Sequence, residues 1–465
     1  MKNNMKDFCK EHNITENQFK GINKIKCSLN LRSLSSIPKG FNPTVVGDLN
    51  LRNLTSIPEG FNPTVGGWLD LSSLTSIPDT FNPTVGDGLY LCSLTSIPEG
   101  FNPTVGGSLW LKSLTSIPDG FNPTIRGDLK LNSLTSIPDD FNPTVGGWLE
   151  LNSLTSISDT FNPTVGGSLN LSSLTSIPDT FNPTVMGNLD LRSLTSIPGT
   201  FNPIVGVCLY LRSLKSIPDT FNPTVGGTLY LDRLTSIPEG FNPTVGGSLW
   251  LDSLTSIPDT FNPTVGGDLN LYKITSISDT FNPTVGGDLN LYNLTSIPDT
   301  FNPTVGGHLN LPEGLSCKYT KLPPNYLFSW QGGKYIKVDS AFIVEVINRK
   351  GNTYQIKYLI NNKIFYLITD GEKWSQGYTF KEAKMDLVYK TKKKTKDDYK
   401  HLTLSSSLTF EELILCYRII TCADSSDIRN HLKNKLNKNS KHTIATMIEK
   451  TIGCYGNENF KEYFK

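Results

Sequence analysis

From Phe41 to Phe301 the triplet Phe-Asn-Pro occurs fourteen times, always at intervals of twenty residues. A fixed short period signals stacked units rather than separate globules. In one unit, Leu69, Leu71, Leu74, Ile77, Phe81 and Val85 mark slots that are apolar in every copy. Six such side chains bury too little surface to offset the ordering of twenty backbones, so a single unit cannot fold alone. Stacking lets each unit bury both faces and pair its strand with the next at about 4.8 Å.

The local chemistry divides each unit. In "WLDLS", Leu69 and Leu71 alternate with Trp68, Asp70 and Ser72, the period-2 pattern of a strand with its leucines inward. "TSIP" offers a second short extended stretch. "FNPT" carries turn chemistry, and "VGG" lets the backbone bend into the next strand. The Asn of every "FNP" reads either as a ladder tying coil to coil or as a turn each coil makes alone. The expected fold is mainly β: a parallel β-solenoid of fourteen twenty-residue coils.

Both flanks depart from the period. Residues 1–27 read as a short helical cap, with Thr15 and Gln18 at capping-box spacing. The solenoid spans 28–325, its last part, "LPEGLSCKYTKLPPN", being a decayed unit. Residues 326–390 read as a small antiparallel sheet with a helix. The runs "YIKVDSAFIVEVI", "TYQIKYLI" and "KIFYLIT" are joined by the turns "NRKGN" and "NNK", and Thr379 and Glu382 open the helix. A basic linker at 391–398 leads to a helical tail at 399–465, where Thr409 and Glu412 cap "FEELILCYRIIT".

The near-neutral total charge hides a segregation. Residues 28–310 hold 11 Lys/Arg against 23 Asp/Glu, residues 311–465 hold 26 against 16, and the first 27 hold 6 against 3. Phosphate neutralisation needs cations, which argues against nucleic acid on the repeats and leaves it open for the basic tail. Eight scattered cysteines show no metal-ligand spacing. No signal-peptide core and no membrane-spanning stretch is present, so the expectation is a cytoplasmic monomer with no membrane association. No Ser-His-Asp, HExxH, Walker or GxGxxG constellation occurs, so neither an enzyme nor a cofactor or metal is expected.

"LxLxxLTSIPxxF" resembles leucine-rich repeats of the twenty-residue type. It differs in lacking their Asn-x step after the strand and in adding two residues after Phe, which leaves a curved horseshoe and a straighter solenoid both open. "GKYIKVDSAF", "ITDGEKWSQGYTFKEAKMDLVYK", "LTLSSSLTFEELILCYRIITCAD" and "GCYGNENFKEYF" resemble the C-terminal region of phage- and virus-encoded leucine-rich-repeat proteins. That resemblance implies a viral or phage protein acting in host cytoplasm, and little mechanism. Twenty-residue leucine-rich repeats also front bacterial ubiquitin-ligase effectors with a Cys-x-Asp motif. By that resemblance Cys422, with Asp424, is the alternative, enzymatic reading.

What varies between copies forms three columns flanking the strand leucines. The expected partner-binding ribbon comprises Trp68, Tyr90, Trp110, Lys112, Trp148, Arg192, Tyr210, Arg212, Tyr230, Asp232, Trp250, Asp252, Tyr272 and Tyr292. Trp, Tyr and Arg dominate binding energy at interfaces, and exposed aromatics are costly without a partner. The competing reading is drift at solvent-facing strand positions, where aromatics are favoured in any case. A spacer whose basic tail does the binding is a further alternative. The turn slot two after Ile is acidic in twelve of fourteen copies, Asp79 and Glu99 among them. Asp in such a turn bonds its own backbone, which accounts for the column without calcium.

Overall fold

The computed structural model describes residues 5–323, 326–338, 342–358, 363–391 and 394–465. The "NNK" turn, the end of the decayed repeat and the middle of the basic linker lie partly outside the described residues. The chain divides into two compact units, Met1–Pro323 and Pro324–Lys465.

In the first unit the period becomes a parallel solenoid. One strand per coil, from Leu29–Asn30 to Leu309–Asn310, joins a continuous fifteen-stranded sheet in unbroken twenty-residue register. The leucines behind it, such as Leu69, Leu71 and Leu74, are fully buried. Helices α1 (Met5–Glu11) and α2 (Glu16–Phe19) close the N-terminal end. Phe8 and Phe19 stack on Phe41 at 5.0 and 5.2 Å, so the cap continues the phenylalanine spine.

The second ladder is not in "TSIP". It runs through Thr-Val, as in Thr64–Val65, because the glycine that follows brings its N–H within 2.8 Å of the preceding coil's valine carbonyl. "TSIP" ends in a proline with no N–H to donate, and it makes only scattered rungs such as Thr115 N–H to the Thr95 carbonyl at 3.2 Å.

Spacing around the coil differs from side to side. Hydrogen-bonded strands lie about 4.8 Å apart, and the parallel rings of Tyr210 and Tyr230 repeat that value on the leucine-strand face, 4.8 Å. On the opposite corner, successive phenylalanine rings stand 6.0 to 6.4 Å apart. Nearly parallel, repeat-related rings report the local rise, so the coils fan outward and the leucine-strand face is the concave one.

Where coils diverge that far, backbone groups cannot reach each other, and asparagine spans the gap. Asn222 accepts the N–H of Asn242 at 2.5 Å through its side-chain oxygen, and its amide donates to the Gly240 carbonyl at 3.3 Å. The asparagines therefore form the inter-coil ladder, the first of the two readings.

The second unit is a six-stranded antiparallel sheet, from Ser329–Trp330 to Trp374–Gly377, followed by helices. Helix α3 (Phe380–Lys390) starts at the capping box of Thr379 and Glu382, and α4 (Phe410–Thr421) at that of Thr409 and Glu412. Helices α5 (Ser425–Leu432), α6 (Ile444–Lys450) and α7 (Asn457–Tyr463) follow. Arg418, on α4, reaches Asp386 of α3 at 2.5 Å, which ties the sheet-bound helix to the helical segment.

Candidate partner-binding ribbon

The fifteen-stranded sheet sets the variable residues in three outward columns along the concave face, each coil in register with the next. The three columns differ in what the fold asks of them.

The first column is largely a scaffold element. Nine of its side chains, among them Asp48, Ser108, Asn188 and Ser248, accept the backbone N–H of the residue twenty further on. Ser248, variable in sequence, thus holds the N–H of Asp268 at 3.0 Å. The signal was visible as a bias toward short acceptors. Its purpose needs the three-dimensional register.

The middle column alternates between two solutions. Asn50, Asp70, Asn170 and Asp190 turn back to bond the N–H two residues on, at 3.0 to 3.2 Å. The aromatics instead stack across coils. Trp68, Tyr90 and Trp110 form one run, with rings 6.3 and 4.6 Å apart. Lys112 lies 4.5 Å from the Trp110 ring, and Lys130 sits between Trp110 and Trp148 at 5.1 and 5.7 Å. Tyr210, Tyr230 and Trp250 form a second run, with Arg212 4.3 Å over Tyr230. Tyr272 and Tyr292 pair at 5.9 Å further along.

All fourteen expected ribbon residues lie in these columns, but much of their surface is spent on each other. Arg192 forks onto Asp190, and Arg212 meets Asp232 at 3.5 Å. Trp148, Tyr272 and Tyr292 stay exposed, at 53, 50 and 46 %. Trp148 and Tyr210 flank a hollow of about 220 Å³, lined between them by Ser168, Asn170, Asn188, Glu150, Asp190 and Arg192. Lys130, Glu150 and Asp190 were absent from the expected set. The adjacency of Lys130 and Glu150 at one repeat length, now a 2.7 Å ion pair, is the signal that identifies them.

Burial draws the Glu150 carboxyl upward, but bonds from Lys130 and Asn132 outweigh it and leave it below the usual range. Asp232 is raised by burial despite Arg212, and Asp252 by burial and then by Asp232. Among the described residues, the buried oxygen Oδ1 of Asp252 and Nε1 of Trp110 have no hydrogen-bond partner.

Elsewhere, Cys422 is the exposed C-cap of α4, in the left-handed conformation with φ 61°. Asp424 accepts the N–H of Asp427 at 3.4 Å. Among the described residues, no three His, Cys, Asp or Glu side chains converge as metal ligands, and no helix is long and apolar enough to cross a membrane. No protein-family model, curated protein or solved structure matches the chain.

Proposed function

We propose that the protein is a non-catalytic binding module that holds a protein partner on the concave ribbon. The observation that carries this is Trp148: it stands 53 % exposed at the edge of a polar-lined hollow, while most ribbon aromatics are covered by neighbours. Large exposed aromatics beside a hollow are the usual anchors of an interface. The curvature supports it too, since a concave face surrounds a convex or elongated partner. An intracellular setting is part of the reading and rests on eight cysteines, all of them free. A viral or phage origin rests on the resemblance of the C-terminal region alone.

The test is affinity capture with the full chain, comparing wild type with a Trp148→Ser, Tyr272→Ser, Tyr292→Ser triple variant. These three rings are the least engaged by the scaffold, so the melting curve should barely move. Captured partner should fall at least tenfold. Equal capture by a folded variant removes the ribbon as the binding surface.

A further inference from the structure

In most coils the residue after the ladder valine is glycine, and the structure shows why. A Cβ at Gly66, Gly86, Gly106 or Gly146 would lie 2.2 Å from the carbonyl oxygen of the equivalent residue one coil earlier. Backbone has no flexible end to swing aside, so a side chain in this slot facing such a carbonyl has to displace the backbone locally. Arg126 occupies it.

At that junction the Thr-Val ladder stops. One sheet of five strands ends with Thr104–Val105, and a separate sheet of eleven begins with Thr124–Ile125. The bonds that Gly106 and Gly146 give Val85 and Ile125, each 2.8 Å, have no counterpart at Arg126. The asparagine ladder, intact from Asn82 to Asn102 at 2.5 Å, has no rung from Asn102 to Asn122. Val105 and Phe121 are each 7 % exposed, against 1 % for Val85 and Phe81. Met186, in the same slot, gives a milder version: only Val165↔Val185 remains paired, and the Asn162–Asn182 rung is missing. Val46 faces the cap strand Lys24–Ile25 and keeps its bond at 2.9 Å. The same pattern recurs at a glycine slot, Gly266, where only Val245↔Val265 remains paired and the Asn242–Asn262 rung is missing, and nothing in the structure explains it.

The rest of the junction is closed. Leu89↔Leu109 and Tyr90↔Trp110 stay in register, Gly127 bonds Gly107 at 3.0 Å, and Thr115 bonds Thr95 at 3.2 Å. We propose that the junction between the coils of Tyr90 and Trp110 is a hinge. The break is confined to Asn122–Arg126, while the Phe101 and Phe121 rings remain 6.3 Å apart as elsewhere in the spine, so the solenoid flexes there about the continuous leucine sheet. The pivot lies behind the Tyr90–Trp110 step, and its motion changes the curvature of the ribbon at that point. This inference stands without the binding reading.

Hydrogen exchange on the intact protein tests it. Peptides covering 120–127 should exchange at least tenfold faster than those covering 140–147, while 89–91, whose N–H groups bond across the pivot, stay slow. Arg126→Gly should bring the first two within twofold of each other. Gly146→Arg should extend the fast exchange to 140–147. Slow exchange at 120–127 in the wild type, or no effect of Arg126→Gly, overturns the hinge. Exchange at 89–91 as fast as at 120–127 overturns it as well, since the leucine sheet would then be opening with the break.

Discussion

In the solenoid, the turn carboxylates from Glu59 to Asp299 stand in a column along one edge, and none enters an ion pair among the described residues. In the C-terminal unit the opposite holds. Arg418 is 8 % exposed, bonds Asp386 at 2.5 Å and stacks 4.1 Å over Tyr389. Arg429 pairs with Glu411 and lies 3.8 Å from Asp386. The repeat unit gains stability from many equal neighbour contacts, so its turn charges can stay in water. The non-repeating unit gathers its helices around one ionic cluster, where each charge is answered only by particular partners. Damage should therefore stay local in the first and spread in the second.

The largest expected effects test that contrast directly. Phe221 is fully buried in the spine, and Phe221→Ala should cost about 3–5 kcal/mol. Exchange protection should fall in its own and the adjoining coils and persist near both ends of the stack. Arg418→Ala leaves Asp386 without its closest partner and should cost about 3 kcal/mol. Here protection should fall across α3, α4 and α5 together. Uniform loss along all the coils after Phe221→Ala would show the solenoid to be one cooperative block.

A smaller effect sharpens the comparison inside the repeat, where the motif is identical and the bonding is not. Asn222 holds the N–H of Asn242 and the carbonyl of Gly240, so Asn222→Ala orphans two groups and should cost roughly 1–3 kcal/mol. Asn162 sits where a rung is missing, and its one ladder bond comes from its own backbone N–H to Asn142 at 2.5 Å. Asn162→Ala should cost a few tenths of a kcal/mol at most. Equal losses in denaturant titrations would mean that the ladder is decoration on a spine held by Phe and Leu alone.

These contrasts also show how far the sequence could be read. The twenty-residue period and the alternation of Leu69 and Leu71 are enough for the leucine sheet, because inward apolar slots at fixed spacing have few other arrangements. Capping residues at Thr15, Thr379 and Thr409 act through bonds within four residues, so spacing alone reveals them. The Thr-Val ladder is not legible in the sequence because "TSIP" and "PTV" both read as extended, and only the approach allowed by Gly66 decides which of them pairs. The role of Ser248 depends on Asp268, twenty residues away, and looks like free variation until the register is known. The hollow beside Trp148 arises where two successive coils carry small middle and first-column residues, a negative shape that no single motif encodes. For the ribbon, membership was legible from variability, but which rings remain uncovered was not.

The smallest effect concerns the two ribbon carboxylates that come closest to the manner of the C-terminal unit. Burial holds Asp252 above the usual carboxylate range, Asp232 pushes it further, and its Oδ1 has no partner. A carboxyl whose folded pKa exceeds its unfolded value binds more protons when folded. Its contribution therefore weakens as pH rises from about 4 through the folded value, and at neutral pH the ionised group destabilises. Asp252→Asn should stabilise the protein at neutral pH by less than about 1 kcal/mol, because the site is partly open to solvent, and so raise the melting temperature slightly. Glu150 carries the opposite sign, since Lys130 and Asn132 hold it below its ordinary value against the pull of burial. Its stabilisation is present at neutral pH and disappears as pH falls through the folded value, so Glu150→Gln should lower the melting temperature. The two variants should diverge from wild type in opposite directions at neutral pH and converge with it once the pH lies below both folded values. If both leave the melting curve unchanged at neutral pH, the carboxylates of Asp252 and Glu150 are as well solvated as the turn column, and Asp190, buried against Arg192, is where the ribbon resembles the C-terminal unit.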